Sequence, residues 1–191
     1  MTREGSTDRR VRRTRIALRE ALLELMTERG WEDISVQDLC DRADIGRSTF
    51  YMHFSGKEKL LVSGFDDLRR ELRRLQPKVE AGGSGALAFV RGLVDHFHEN
   101  QRAFRAVVGK RSGYVVQRRF RELVIGMVKE DLGAFAPSGW PGNATVHYVA
   151  GAFVELLTWW LESRPAQSPE DIERLFFRLT APVVAQLRAM K

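Results

Sequence analysis

The sequence predicts an all-α protein, and three observations carry that prediction. Apolar residues recur at three- and four-residue steps through nearly every periodic window of the chain. Serine, proline and acidic residues stand where such windows open, and glycine or proline where they close. The longest greasy stretch, Tyr148 to Leu161, contains Glu155 and is shorter than the roughly 20 residues of a membrane span, so it reads as a buried helix.

Taken in order, Ile16, Ala17, Ala21, Leu22 and Leu25 make one apolar face of a helix from about Asp8 to Arg29, and Gly30 stops it. Ser35-Val36-Gln37-Asp38 has the capping-box form, with the serine side chain accepting the Asp38 amide at a new helix start. That second helix is short, because Ala43-Asp44-Ile45-Gly46 breaks it. A third short segment runs from Arg47 to about His53. A longer helix from Lys57 towards Leu75 buries Leu60, Leu61, Phe65, Leu68 and Leu72.

Gln76-Pro77 and Ala81-Gly82-Gly83-Ser84-Gly85 then punctuate the chain. Helices are expected at about Gly85–Glu99, Arg102–Val108 and Ser112–Phe135, the last striped by Val116, Phe120, Leu123, Val124 and Met127. Ala136 to Asn143 reads as a Pro/Gly loop. The next helix is apolar on two faces, Val146, Val149, Phe153, Leu157 and Trp160 on one and Tyr148, Ala152, Leu156 and Trp159 on another. It must therefore be covered on both sides. Ser168-Pro169-Glu170-Asp171 opens a final helix with an N-cap, a proline at the first position and acids in the first turn. Ile172, Leu175, Phe176, Leu179, Val183 and Leu187 line it, and Pro182 should bend it near Arg178.

Composition narrows the function. The 191 residues are 43% hydrophobic and 29% charged, which excludes a disordered chain and a disulfide-dense mini-protein. The single cysteine, Cys40, allows no internal disulfide and favours a reducing, cytoplasmic setting. The net charge of +6 favours an anionic partner. It is concentrated in Arg9, Arg10, Arg12, Arg13, Arg15 and Arg19, with no acid between the first and last of these. Glu20, Glu24 and Glu28 deny this segment the apolar run of a signal peptide.

Three helices before residue 55, two of them very short and joined by a four-residue turn, form a helix-turn-helix arrangement whose third helix can enter a DNA major groove. Arg47, Ser48, Thr49, Tyr51 and His53 cluster on that segment, while Phe50 and Phe54, four apart, can pin it to its domain. Ser35, at a helix N-terminus, and Lys57, at the start of the fourth helix, can each hold a phosphate.

The run from Gly30 to Ala43, then Arg47-Ser48-Thr49-Phe50-Tyr51, His53-Phe54, Lys57 and Leu60-Leu61, resembles the DNA-binding domain of TetR-family transcriptional repressors. The resemblance covers about Arg12 to Leu61. It implies an all-helical homodimer with an operator-reading domain over residues 1–55 and a ligand-binding and dimerisation domain over 56–191. It further implies base or methyl contacts from Arg47, Ser48 and Thr49, and phosphate contacts from Ser35, Tyr51, His53 and Lys57. The family commonly has glycine where this chain has Asp44, and a serine N-cap where it has Gly46; aspartate tolerates a left-handed backbone, whereas the lost serine removes a hydroxyl. Gly151 to Leu161 followed by Ser168-Pro169-Glu170-Asp171 resembles the regulatory domain of one branch of the family. By that analogy, helices at about 145–162 and 169–189 pair with their symmetry mates, and a small hydrophobic molecule releases a near-palindromic operator.

Other readings are weaker. Gly83-x-Gly85-x-x-Ala88 lacks the preceding strand of a dinucleotide fingerprint. His96 and His98, two apart, point to different sides of a helix, and with His147 they suggest ordinary histidines rather than a metal site. Phe89, Phe97, Phe104, Phe120, Phe153, Trp159 and Trp160 could surround a ligand or simply fill a core. Neither a Gly-x-Ser-x-Gly elbow, a Walker-type loop nor a His-Glu-x-x-His motif is present, so neither an enzyme nor a resident cofactor is expected. An interaction role for the C-terminal bundle stays open beside the regulator reading.

Overall fold

In the computed structural model, residues 4–75, 86–101, 104–105, 113–133, 136–162 and 167–189 are described. Among them the ordered elements are helices, with no strand. Helix α1 spans Glu4–Glu28, α2 Val36–Ala43, α3 Arg47–His53 and α4 Lys57–Leu75. Helix α5 spans Phe89–Glu99, α6 Gly113–Leu132, α7 Trp140–Glu162 and α8 Pro169–Ala189.

Helix α1 packs on α2 and α4 because Leu18, Ala21, Leu22, Leu25 and Met26 are buried along one side of it. Ile16, expected on that side, is instead exposed at the end of the packed face. Leu39 and Cys40 of α2, Phe50 of α3 and Phe54 just after it fill the core of this first unit. Arg42 clamps α2 to α1 through Glu24 at 3.1 Å and Glu28 at 2.8 Å, and Arg29 reaches Asp38 at 2.8 Å. A single 3-10 turn, Trp31–Asp33, was not legible as an element and buries the Trp31 ring.

In the C-terminal half, α6 packs on α7 and α4, and α8 on α5 and α7. The α6 stripe of Val116, Phe120, Leu123, Val124 and Met127 is buried as expected. Phe89 meets Phe153 edge-on at 5.9 Å, and Phe153 meets Phe176 at 5.0 Å, so these rings fill the core. Arg91 ties α5 to Glu170 and Glu173 of α8, and Arg73 ties α4 to Asp131 of α6.

Several boundaries differ from expectation, α1 beginning at Glu4 rather than about Asp8. Helix α5 begins at Phe89 rather than Gly85, because Leu87 turns into the left-handed region at φ 66. Helix α7 begins at Trp140, within the expected loop. Pro141 lies in its first turn, where a missing N–H costs nothing, and Gly142 is buried so tightly that a Cβ would strike the Pro137 carbonyl. Helix α8 runs on through Pro182. The expected helix at Arg102–Val108 lies largely outside the described residues.

Candidate nucleic-acid interface

The start of α2 has the capping box read from the sequence. Ser35 Oγ accepts the Asp38 amide at 3.1 Å, and the Asp38 carboxylate accepts the Ser35 N–H at 2.7 Å. The Ser35 hydroxyl also donates to that carboxylate at 2.5 Å. These bonds, with Arg29 nearby, hold the Asp38 pKa well below the usual carboxylate range. Ser35 is thus both exposed and fixed at a helix N-terminus.

The turn between α2 and α3 depends on Asp44, at φ 51 and ψ 50, with its N–H directed at the carbonyls of Asp41 and Cys40. The left-handed residue is therefore the aspartate, a residue that adopts this region readily. Gly46 sits in ordinary extended backbone, φ −63 and ψ 144, as the N-cap of α3 with no side-chain bond to offer. The nearest atom to a Cβ placed there is Ser48 Oγ at 3.9 Å, so a side chain fits.

Helix α3 buries Phe50 and turns Arg47, Ser48, Tyr51 and Met52 to solvent. Thr49 and His53 are half-buried on its flanks. Five of the expected residues thus share one short helix, with three on its open side. Met52, also on that side, was missed by a reading that looked for polar groups; its four-residue spacing from Ser48 was the available signal.

Helix α1 carries an exposed basic run, of which Arg15 reaches the end of α3. Arg9, Arg10, Arg12, Arg13 and Arg15 are exposed, and the Arg15 guanidinium stands 5.3 Å from the Phe54 ring centre at the end of α3. Arg19 is drawn away into an ion pair with Asp67 of α4.

Lys57 occupies a different position from a free phosphate ligand. Its ammonium donates to the carbonyls of Trp31 and Ile34, each at 2.8 Å, and lies 4.7 Å from the centre of the Trp31 ring. Two of its three N–H groups therefore fasten the 3-10 turn that leads into Ser35. The same turn touches the second half of the molecule, since a Cβ at Gly113 of α6 would lie 3.5 Å from Trp31. Arg119 of α6 pairs with Glu58 of α4 at 2.6 Å beside it.

A cleft of about 320 Å³ opens between α1, α4 and α5, with Leu23, Phe65, Leu68, His96 and Phe104 among its walls. Burial lowers the His96 pKa below the ordinary value, against the pull of Glu71 and Glu99. Burial likewise pushes the Cys40 thiol up, as expected of a packed rather than reactive cysteine. No helix among the described residues is long and apolar enough to cross a membrane.

A family model described as "Bacterial regulatory proteins, tetR family" matches residues 18–63, and one described as "Transcriptional regulator C-terminal region" matches residues 86–181, half of the chain. The chain belongs to the TetR family of transcriptional regulators. The families it matches are regulators, not enzymes. An uncharacterized HTH-type transcriptional regulator of Bacillus subtilis (strain 168), YxbF, is 42% identical over 60 residues, which are 31% of this chain and 16% of that protein. The chain thus matches only a small part of that relative's length. The crystal structure of a TetR transcriptional regulator from Streptococcus agalactiae 2603V is similar over 93% of this chain and 98% of that one, at 26% identity and a TM-score of 0.68. The structure of RolR in complex with resorcinol shares the fold at 20% identity and a TM-score of 0.55, over 95% of this chain and 89% of that one.

Proposed function

We propose that this TetR-family chain binds a near-palindromic operator as a homodimer in the cytoplasm and represses the adjoining genes until a small hydrophobic effector releases it. The observation that carries the DNA reading is the exposed side of α3, with Arg15 of α1 at its end and further exposed arginines along α1. Residues 1–55 act as the reading domain and 56–191 as the regulatory one. Arg47 is suited to a bidentate contact with guanine, and Ser48 and Thr49 to neighbouring base edges. Ser35, Tyr51 and His53 hold phosphates. Lys57 has one N–H left for a phosphate, while its other two hold Ser35 in place.

Dimerisation is supported by the second face of α7. Tyr148 is 61% and Trp159 48% exposed, although both belong to a largely apolar helix. Leu175 and Leu179, expected on the apolar face of α8, are exposed as well. A second copy covering both helices removes these side chains from water, and paired α3 segments then meet successive major grooves about 34–36 Å apart.

The cleft between α1, α4 and α5 supports an effector site, because a molecule there touches both the reading unit and the helix leaving it. An effector that prefers a dimer out of step with DNA shifts the population and frees the operator. The precedent of bound resorcinol belongs to RolR and supplies only the kind of molecule to try first.

Incubating the full-length protein with fragmented genomic DNA, recovering bound fragments at moderate salt and sequencing them tests the reading. A shared two-fold-symmetric site is the expected result. Binding without a shared site that disappears as salt rises is non-specific electrostatics and contradicts the proposal.

A further inference from the structure

Helix α3 carries one side chain that polar recognition does not account for. Met52 is 75% exposed, more than Tyr51 beside it, and the helix already has Phe50 and the following Phe54 to anchor it. At 100° per residue, Met52 and Ser48 each stand about 160° from the fully buried Phe50, whereas Arg47 lies about 60° from it. The pole of α3 facing away from its own domain is therefore a serine hydroxyl and a thioether.

We infer that Met52 is a specificity residue that reads the C5-methyl group of thymine in the major groove. This rests on the proposed operator-binding function. Arg47, Ser48 and Tyr51 all carry hydrogen-bonding groups; Met52, alone among the four exposed residues of α3, has an apolar, polarizable end. Of the features that base pairs present in the major groove, the thymine methyl is the apolar one. An unbranched side chain at the outermost position reaches the groove floor without moving the backbone. It does so with no unsatisfied polar atom left against the methyl group.

The helix also fixes where that thymine lies. Arg47 and Met52 are five residues apart, so their Cα atoms are separated by about 7.5 Å along the axis. With base pairs every 3.4 Å or so, the thymine falls within about two base pairs of the guanine read by Arg47 when α3 lies along the groove. The operator half-site is thus predicted to hold a guanine and a nearby thymine, in fixed spacing.

The test uses the site recovered with the full-length protein, with each thymine under α3 replaced in turn by deoxyuridine. This removes the methyl group and leaves base pairing intact. Wild-type protein is expected to lose about fourfold in affinity per half-site at one such thymine, the worth of one buried methyl group. Met52→Ala is expected to bind the thymine and uracil duplexes equally, and Met52→Leu to keep most of the preference. Since Met52 is exposed, neither variant should change the melting temperature, which checks folding directly. The inference is overturned if uracil is neutral at every position for the wild type, or if the thymine preference persists undiminished in Met52→Ala. Arg47→Ala distinguishes the two levels: loss of its guanine preference with no methyl effect sinks this inference alone, whereas recovery of no common site sinks the operator reading and this inference together.

Discussion

The two ends of the molecule solve the problem of exposed surface in opposite ways. In the N-terminal unit, α1, α2 and α3 bury most of their large apolar residues in a shared core and present arginine, serine and tyrosine outward, with Ile16, Leu23 and Met52 the exposed apolar ones. In the C-terminal half, α7 buries Val146, Val149, Phe153, Leu157 and Trp160, yet still leaves Tyr148 and Trp159 open, and α8 leaves Leu179 64% exposed. A cationic polar surface suits a phosphate backbone, whereas a long apolar stripe suits another protein surface. On the proposed function, the surface that reads DNA lies within one chain, while the exposed apolar residues of α7 and α8 suit a second copy.

The largest effect should come from charging the apolar stripe. Tyr148→Asp combined with Leu179→Asp is expected to separate the protomers in sedimentation. Operator affinity then falls by about 100-fold or more, since each reading unit binds alone. A double variant that stays dimeric would show that these side chains do not hold the protomers together. Next, Arg47→Ala should cost about 1–3 kcal/mol at its base pair and relax the preference there, read by competition between operator variants.

Lys57→Ala sharpens the boundary between reading and scaffolding. Losing its bonds to Trp31 and Ile34 should lower unfolding stability by about 1–3 kcal/mol, measured by denaturant melts. If Lys57 also neutralises a phosphate, the slope of log affinity against log salt should fall by about one per protomer. Smaller still is a pH effect from His96. Its folded pKa is lowered by burial, so the unfolded chain binds the proton more readily. Stability should rise with pH through the window just below 6.5 and be lost as pH falls through it, less steeply in His96→Gln, as thermal melts between pH 5.5 and 7.5 would show. The smallest effect is expected from Gly46→Ser, which restores an N-cap where space allows and should add a few tenths of a kcal/mol.

The local rules that operate within a few residues were legible. The Ser35 capping box, the Asp44 turn, the α4 bounds at Lys57 and Leu75 and the proline-led start of α8 all follow from side chains acting on nearby backbone. Features set by distant partners were not. The Lys57 ammonium looked available because nothing in sequence says that the Trp31 and Ile34 carbonyls lie within its reach. The residues Ala136 to Asn143 read as a loop, although the helix already begins at Trp140, since the composition of a proline-containing first turn is the composition of a turn. In α8, periodicity marked Leu175 and Leu179 as apolar without telling a protomer's own core from a surface left for a partner.

On the proposed function, two copies joined through α7 and α8 read one operator with paired α3 helices. Sedimentation of full-length protein on the recovered duplex, with the native spacing and with about five base pairs inserted between half-sites, tests it most directly. Two protomers are expected on the native duplex, with loss of tight binding when the half-turn insertion rotates one half-site to the opposite face. A single protomer bound to the native site, with affinity unchanged by the insertion, would contradict it.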